Sequence, residues 1–448
     1  MEKKVSRVQQ ALSKITMPIQ QFFAESELSG MLLLSVTVVA LALANSSIGE
    51  AFLHFWHTEF EFHFGDFKMQ MDFHILINDV LMTLFFIVVG GEIKREIVEG
   101  ALSTKEKAIL PVIAAIGGML FPALFYIMFN WGSPTAAGWG IPTATDIAFS
   151  LTIISLLGKK VPFSLKIFLA ALAIADDLGA IVVIALFYSN SLDWYHLMGG
   201  FGVIGLLFVL NKSGVTNLTI YSLFGIILWY FFFMAGIHPT IAGVVFAFVV
   251  PFRLQNWEYV FEEKMKVVRE CVSALDDKKT TDKLVRGELI ERMQQASTQM
   301  EAPLHNVLVF LHPISSYFIM PLFAFANAGV IIDTDAVANI FSPLSLGILC
   351  GLMLGKSTGI WFTTWLAVKL KIAQIPEDVN FKYIYGMAWV AGIGFTMSMF
   401  VTGLAFKSIP DNSSYIETAK ISIILASFLS GVIGYIYLNF LNKVTLKS

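Results

Sequence analysis

Asp176 and Asp177 sit side by side in the middle of an apolar run, Phe168 to Tyr188, that is long enough to cross a bilayer. An acid at that depth costs roughly 2.5–3.5 kcal/mol on insertion scales. Two adjacent acids also repel, so both carry charge only with a cation beside them. The chemistry that suits such a pair is the trading of protons for a cation. Adjacent helical positions point about 100° apart, so one acid faces a given spot squarely and the other completes the site from the side or serves a neighbouring element. Lys356, in Leu354-Gly355-Lys356-Ser357-Thr358-Gly359, is the only lysine placed deep within a span, away from its ends. Snorkelling to the interface is its plain alternative, yet about ten residues separate it from either end of that run. It is read as the partner of a buried acid. With Asp146 the set becomes three acids and one base in one membrane layer, a functional-site hypothesis by default.

The elements that must hold these groups are membrane helices. The chain has 448 residues, 56% hydrophobic and 14% charged, with a mean hydropathy of +0.72. Soluble domains carry about 25% charged residues, so the fold class is an all-α polytopic membrane protein. Twelve apolar runs fall near 29–45, 75–97, 108–130, 138–157, 164–188, 197–211, 217–236, 238–252, 305–330, 344–368, 384–406 and 416–441. With the N-terminus on the cytoplasmic side, 26 of the 30 Lys and Arg lie inside and 3 outside, Lys356 being left within a span. That bias fixes the orientation and places both termini in the cytoplasm. The expected organisation is a cytoplasmic arm at 1–28, spans one to eight at 29–252, a cytoplasmic connector at 253–303, spans nine to twelve at 304–442 and a cytoplasmic tail at 443–448. The arm lacks the apolar core of a cleaved signal. Cys271 and Cys350 give neither a disulfide framework nor metal-ligand spacing. Membrane lipid is the implied partner, and nothing points to nucleic acid or to a cofactor.

Three features interrupt this pattern. Residues 59–72 alternate strictly around Gly65-Asp66, the signature of a short external β-hairpin. Its aromatic and Met-rich face suits either a partner subunit or the membrane surface. The connector carries 9 basic and 10 acidic residues, and the spacing of Met265, Val268 and Val272 suggests a helical excursion. It is either a solvated link or a regulatory one. Finally, two spans are broken. Gly140-Ile-Pro142-Thr-Ala-Thr145-Asp146 puts a proline, two threonines and an acid at mid-span, and Ala391-Gly392-Ile-Gly394-Phe-Thr396-Met-Ser398 puts two glycines and two hydroxyls there. By the charge count the two run in opposite directions. A matched pair of interrupted spans points to a transporter binding site, and loose backbone at that depth is tolerated only where it is buried or lines a cavity. Half-helix ends carry partial charges for which Asp146 and a lysine are counter-charges.

Glu92, Lys94, Arg95 and Glu96 end the second span as either an ordinary interfacial cluster or a proton sensor. Asp79 lies deeper in the same span and bonds a neighbouring helix on the plainer reading. His238 and His312 each precede proline at a span end, where a structural role and a sensing role are both open.

Ala171-Leu-Ala-Ile-Ala-Asp176-Asp177-Leu-Gly-Ala, Pro142-Thr-Ala-Thr145-Asp146-Ile-Ala-Phe, Pro321-Leu-Phe-Ala-Phe-Ala-Asn327-Ala-Gly-Val and Gly392-Ile-Gly394-Phe-Thr-Met-Ser resemble the NhaA-type sodium/proton antiporters. Gly91-Glu92-Ile-Lys-Arg95-Glu96 and Val112-Ile-Ala-Ala-Ile-Gly-Gly118 are similar to that family too. The broken-helix rule was itself drawn in part from it. The resemblance covers nearly the whole chain. It implies a bacterial inner-membrane protein whose spans three to five and ten to twelve form two inverted repeats with discontinuous helices crossing at mid-membrane. It implies electrogenic exchange of one sodium or lithium ion for two protons, activated at alkaline pH, in a homodimer joined partly by the hairpin. Carried over by position, it puts cation and proton binding on Asp176 and Asp177 with Thr145 and Asp146 nearby. Charge compensation falls on Lys356, and pH activation on Glu92, Arg95, Glu96 and His238. The sequence departs from better-known members in its longer connector and in the helix after it, where Leu308 and Val309 replace part of the pH-sensing cluster while His312 remains. A sodium-coupled symporter on the same fold is the alternative. An intramembrane aspartyl protease fits poorly, because its two acids must come from different helices, whereas Asp176 and Asp177 are adjacent. Asp146 with Asp176 is the pair that would serve, and a lysine partner would be unhelpful.

Overall fold

The computed structural model describes residues 28–445 apart from 65–66, 101, 189–191, 254–256, 277–282, 300, 333–337 and 411–412. The N-terminal arm, the turn Gly65-Asp66 and the end of the tail lie outside the described residues. Among those described, seven helices are long and apolar enough to cross a membrane, or up to ten if each of three bent helix pairs is one span. Two shorter apolar helices, Leu218–Met234 and Pro239–Val249, account for the remaining two of the twelve expected runs. The first run differs from expectation. Leu28–Ala44 continues, through a bend of 117°, into a second helix, Gly49–Trp56. Asn45 and Ser46 end the straight part because their side chains donate back to the carbonyls of Leu41 (2.9 Å) and Leu43 (2.7 Å), a bond that competes with helix continuation.

The hairpin forms as its alternation predicts. Glu59–Phe64 pairs antiparallel with Phe67–Asp72, in register from Glu59 opposite Asp72 to Phe64 opposite Phe67. Asp72 then caps the next helix by accepting from the Ile75 N–H at 2.6 Å. The connector also folds as a helical excursion, with helices Trp257–Asp276 and Lys283–Gln299.

The chain divides into two compact units. One holds residues 83–95 and 191–314; its core is built from Val88, Leu228, Phe232, Phe246, Leu304 and Leu308. The other holds everything else, including both broken spans, the aspartate helix Phe163–Phe187 and the lysine helix Pro343–Lys369. Within it the lysine helix lies against Lys105–Asn130 at backbone distance. A Cβ on Gly117 would stand 2.6 Å from the Gly359 carbonyl, and one on Gly355 would stand 2.7 Å from Pro122 Cα. Small residues that let two membrane helices touch are the usual source of van der Waals attraction there. The lysine helix also takes a π-turn at Gly351–Gly355, one residue before Lys356. π-turns re-aim the side chains that follow them and recur at functional positions.

Candidate cation site at two broken spans

The first break separates Pro134–Thr143, a 3₁₀ helix, from Ile147–Leu156, with a bend of 43°; the second separates Phe381–Ala391 from Phe395–Ala405, with a bend of 50°. Pro142 lies inside the first half-helix, near its end. Ala144 is extended, and Asp146 is the N-cap of the next helix. At the second break Gly392-Ile-Gly394 carries the chain across. The two breaks meet: the Asp146 N–H donates to the Ile393 carbonyl at 2.7 Å, and Ser398 Oγ donates to the Ile141 carbonyl at 2.8 Å. Each break thus answers part of the other's unpaired backbone, as an apolar interior requires.

A methyl group cannot be fitted at the second break. A Cβ on Gly392 would stand 2.5 Å from the Leu352 carbonyl and 2.6 Å from Ser430 Oγ. Gly392→Ala is therefore expected to cost about 1–3 kcal/mol through overpacking. Thermal melting of the purified protein checks this, and an unchanged melt would show that the contact is soft.

Four charged side chains converge on this region, and all are shut away from solvent: Asp146 and Asp176 are 1% exposed, Asp177 is 3% and Lys356 is 0%. Asp146 serves the helix starts. Its Oδ1 accepts from the Phe149 N–H at 3.1 Å, and its Oδ2 accepts from the Thr396 N–H at 3.1 Å and from the Thr396 hydroxyl. One carboxylate therefore faces the positive ends of Ile147–Leu156 and Phe395–Ala405 together. Lys356 serves a helix end and an acid. Its Nζ donates to the carbonyl of Thr143, the last residue of the 3₁₀ helix, and to Asp176 Oδ2 at 2.6 Å. Thr145 Oγ1 stands 2.6 Å from Asp176 Oδ2 and 3.1 Å from the Ala391 carbonyl; with one proton it serves one of them at a time. Asp176 Oδ1 has no hydrogen-bond partner among the described residues. The region thus offers carboxylate, hydroxyl and carbonyl oxygens, the donor types that hard cations take.

Of the residues expected to govern the pH response, Glu92 and His312 come together in the smaller unit, with His312 Nε2 3.4 Å from Glu92 Oε1. His238 bonds Thr240 Oγ1 at 2.7 Å, beside the N-terminus of Pro239–Val249. At the other end of that helix Lys94 donates to the carbonyls of Phe248 (2.7 Å) and Val250 (2.5 Å). From sequence Lys94 is one member of a cluster read as either interfacial or proton-sensing, and in the fold its ammonium caps a helix C-terminus. Thr396 stands in the sequence only as one of two hydroxyls at the second break, and the fold shows that its N–H and hydroxyl hold Asp146.

Buried opposite charges held by the ends of two broken membrane helices define a secondary ion transporter. The family described as Na+/H+ antiporter 1 matches residues 20–438. The chain belongs to that family. The Na(+)/H(+) antiporter NhaA of Helicobacter pylori (strain HPAG1) is 44% identical over 443 residues, 98% of this chain and 98% of its own length. The Na(+)/H(+) antiporter NhaA of Oleidesulfovibrio alaskensis is 43% identical over 437 residues, 96% of each. Among solved structures, that of the sodium proton antiporter MjNhaP1 from Methanocaldococcus jannaschii at pH 8 is 15% identical with a TM-score of 0.44, covering 93% of this chain and 98% of that one.

Proposed function

We propose that this chain exports sodium or lithium in exchange for protons across a bacterial inner membrane. The exchange is electrogenic, two protons per sodium, and active at alkaline pH. Both termini face the cytoplasm, spans three to five and ten to twelve are inverted repeats, and the working protein is a homodimer joined partly by the hairpin 59–72. The observation that carries this reading is the Lys356–Asp176 pair at 2.6 Å, set beside Asp177 at mid-span.

Protons and sodium compete for the same carboxylate oxygens. At high proton activity Asp177 is neutral and Asp176 is held by Lys356, so the site has no net charge to attract sodium. At lower proton activity Asp177 gives up one proton and the Asp176–Lys356 pair a second, and sodium takes Asp177 and Asp176 in place of the lysine. Close acids titrate as a coupled set, so the steps belong to the group rather than to one residue. Asp177 is the principal ligand and proton carrier, Asp176 the second ligand and Asp146 the electrostatic support. Thr145 steadies Asp176. Glu92, Arg95, Glu96, His238 and His312 set the pH at which exchange begins. Moving one net charge inward per cycle draws about 2.3 kcal/mol from each 100 mV of membrane potential, which sustains a sodium gradient of about 50-fold.

The test is proton movement in everted vesicles with an energised pH gradient, adding sodium, lithium or potassium between about pH 6.5 and 9, where the competing site is expected to change state. Dequenching with sodium and lithium but not potassium, growing toward alkaline pH, is expected. No response in vesicles shown to hold the protein would remove the antiporter reading and favour sodium-coupled uptake of a solute.

A further inference from the structure

Tyr188 ends the aspartate helix, and its phenol reaches into the first half-helix. The hydroxyl accepts from the Gly140 N–H at 3.0 Å and donates to the Ala137 carbonyl at 2.9 Å. Those two groups are three residues apart, the spacing at which a 3₁₀ helix pairs its own backbone. A tyrosine hydroxyl is therefore spliced into one rung of Pro134–Thr143. The rung also leaves no room for a side chain, since a Cβ on Gly140 would stand 2.5 Å from the phenol oxygen. From that rung the bonding continues one turn onward. Thr143 Oγ1 donates to the Gly140 carbonyl at 2.8 Å, and the Thr143 carbonyl accepts from Lys356 Nζ, which also holds Asp176.

We infer that Tyr188 is a positioning residue for the exchange site: its hydroxyl sets the pitch of the half-helix and so the place of the Thr143 carbonyl that receives Lys356. This rests on the exchange mechanism proposed above. When sodium takes Asp176, Lys356 loses its carboxylate partner and is left with the Thr143 carbonyl that it already holds. Without the phenol, the Ala137 and Gly140 groups close on each other, the rung shortens and the carbonyl shifts. The displaced lysine is then worse housed, so sodium competes less well for Asp176.

Tyr188→Phe keeps the ring and removes both bonds. It is expected to raise the sodium KM about three- to tenfold, the value of one hydrogen bond, with maximal exchange changed less than twofold and the onset of exchange moved toward higher pH. Gly140→Ala disturbs the same rung and should do the same, and the double variant should be no worse than the more severe single variant. Tyr126→Phe is the control for mere structure. The Tyr126 hydroxyl donates to the Thr135 carbonyl at 2.7 Å in the same half-helix, far from the lysine end. It should lower the melting temperature and leave the KM alone. A wild-type KM in Tyr188→Phe, or an equal shift in Tyr126→Phe, overturns the inference. Amide hydrogen exchange across 137–143 reads the coupling even if sodium is not the cargo. Altered exchange at these amides in Tyr188→Phe is expected, and unchanged exchange overturns the rung itself, while absent transport activity in the wild type would fault the transport reading instead.

Discussion

Asp177→Asn should abolish sodium-driven proton movement while leaving the protein folded. The substitution keeps the side chain's size in a site that is almost wholly buried, so packing gives no reason for collapse. What disappears is a charge. A sodium ion about 4 Å from a carboxylate gains about 4 kcal/mol at an effective dielectric of 20, close to a thousandfold in affinity. The amide also cannot carry a proton between the two faces of the membrane. Proteoliposomes loaded with labelled sodium check both losses, and a melting curve beside them shows the fold. The melting temperature should hold or rise, because one of two adjacent buried acids has become neutral. Full exchange by this variant would end the assignment of Asp177 as ligand and proton carrier.

The second large effect falls on stability. Lys356→Met removes the cation from two places together: the Asp176 carboxylate at 2.6 Å and the last carbonyl of the 3₁₀ helix. Breaking a buried pair from one side leaves an uncompensated charge and costs about 3–5 kcal/mol. Melting should fall by about 3 to 5 °C for a chain of this length. Adding Asp176→Asn to the same chain should recover most of that loss, since exchanging both partners of a buried pair is often close to neutral. Transport should stay lost in the pair variant. A double-variant melt no higher than that of Lys356→Met alone would mean that the helix end, and not Asp176, is what the lysine chiefly serves.

Much of this site was legible before any fold. An acid pair inside an apolar run, a lysine about as deep in another, and a proline and two glycines interrupting two further runs are all anomalies against a strong background. The resemblance then gave the roles. What could not be read is everything that depends on rotation and approach. Asp176 and Asp177 are neighbours in sequence, and nothing local says that the first meets Lys356; that follows from how Phe163–Phe187 is turned in its bundle. The bend after Ala44 hides for a different reason. Asn45, Ser46 and Ser47 look like the end of a span, whereas the chain turns there and forms another apolar helix. Lys94 and Tyr188 are missed because their targets are backbone atoms of other segments, and backbone carries no signature in a sequence. The hairpin shows the converse. Its pairing is set by strict alternation across a short turn, and the ladder from Glu59 to Asp72 forms in the register that pattern requires.

The meeting of the two breaks also bears on how the protein is made. Asp146 and Thr396 bond across 250 residues of chain, so the ribosome delivers the acid long before its partner exists. Until Phe381–Ala405 has entered the bilayer, the first interrupted span lacks the Ile393 carbonyl and the Thr396 donors that answer its loose backbone. At roughly 5–20 residues per second, that interval lasts on the order of 10 to 50 seconds, during which an acid and unpaired peptide groups stand in or near lipid. The finished site is closed by a segment made 250 residues later, so the incomplete chain exposes polar groups that the complete one satisfies.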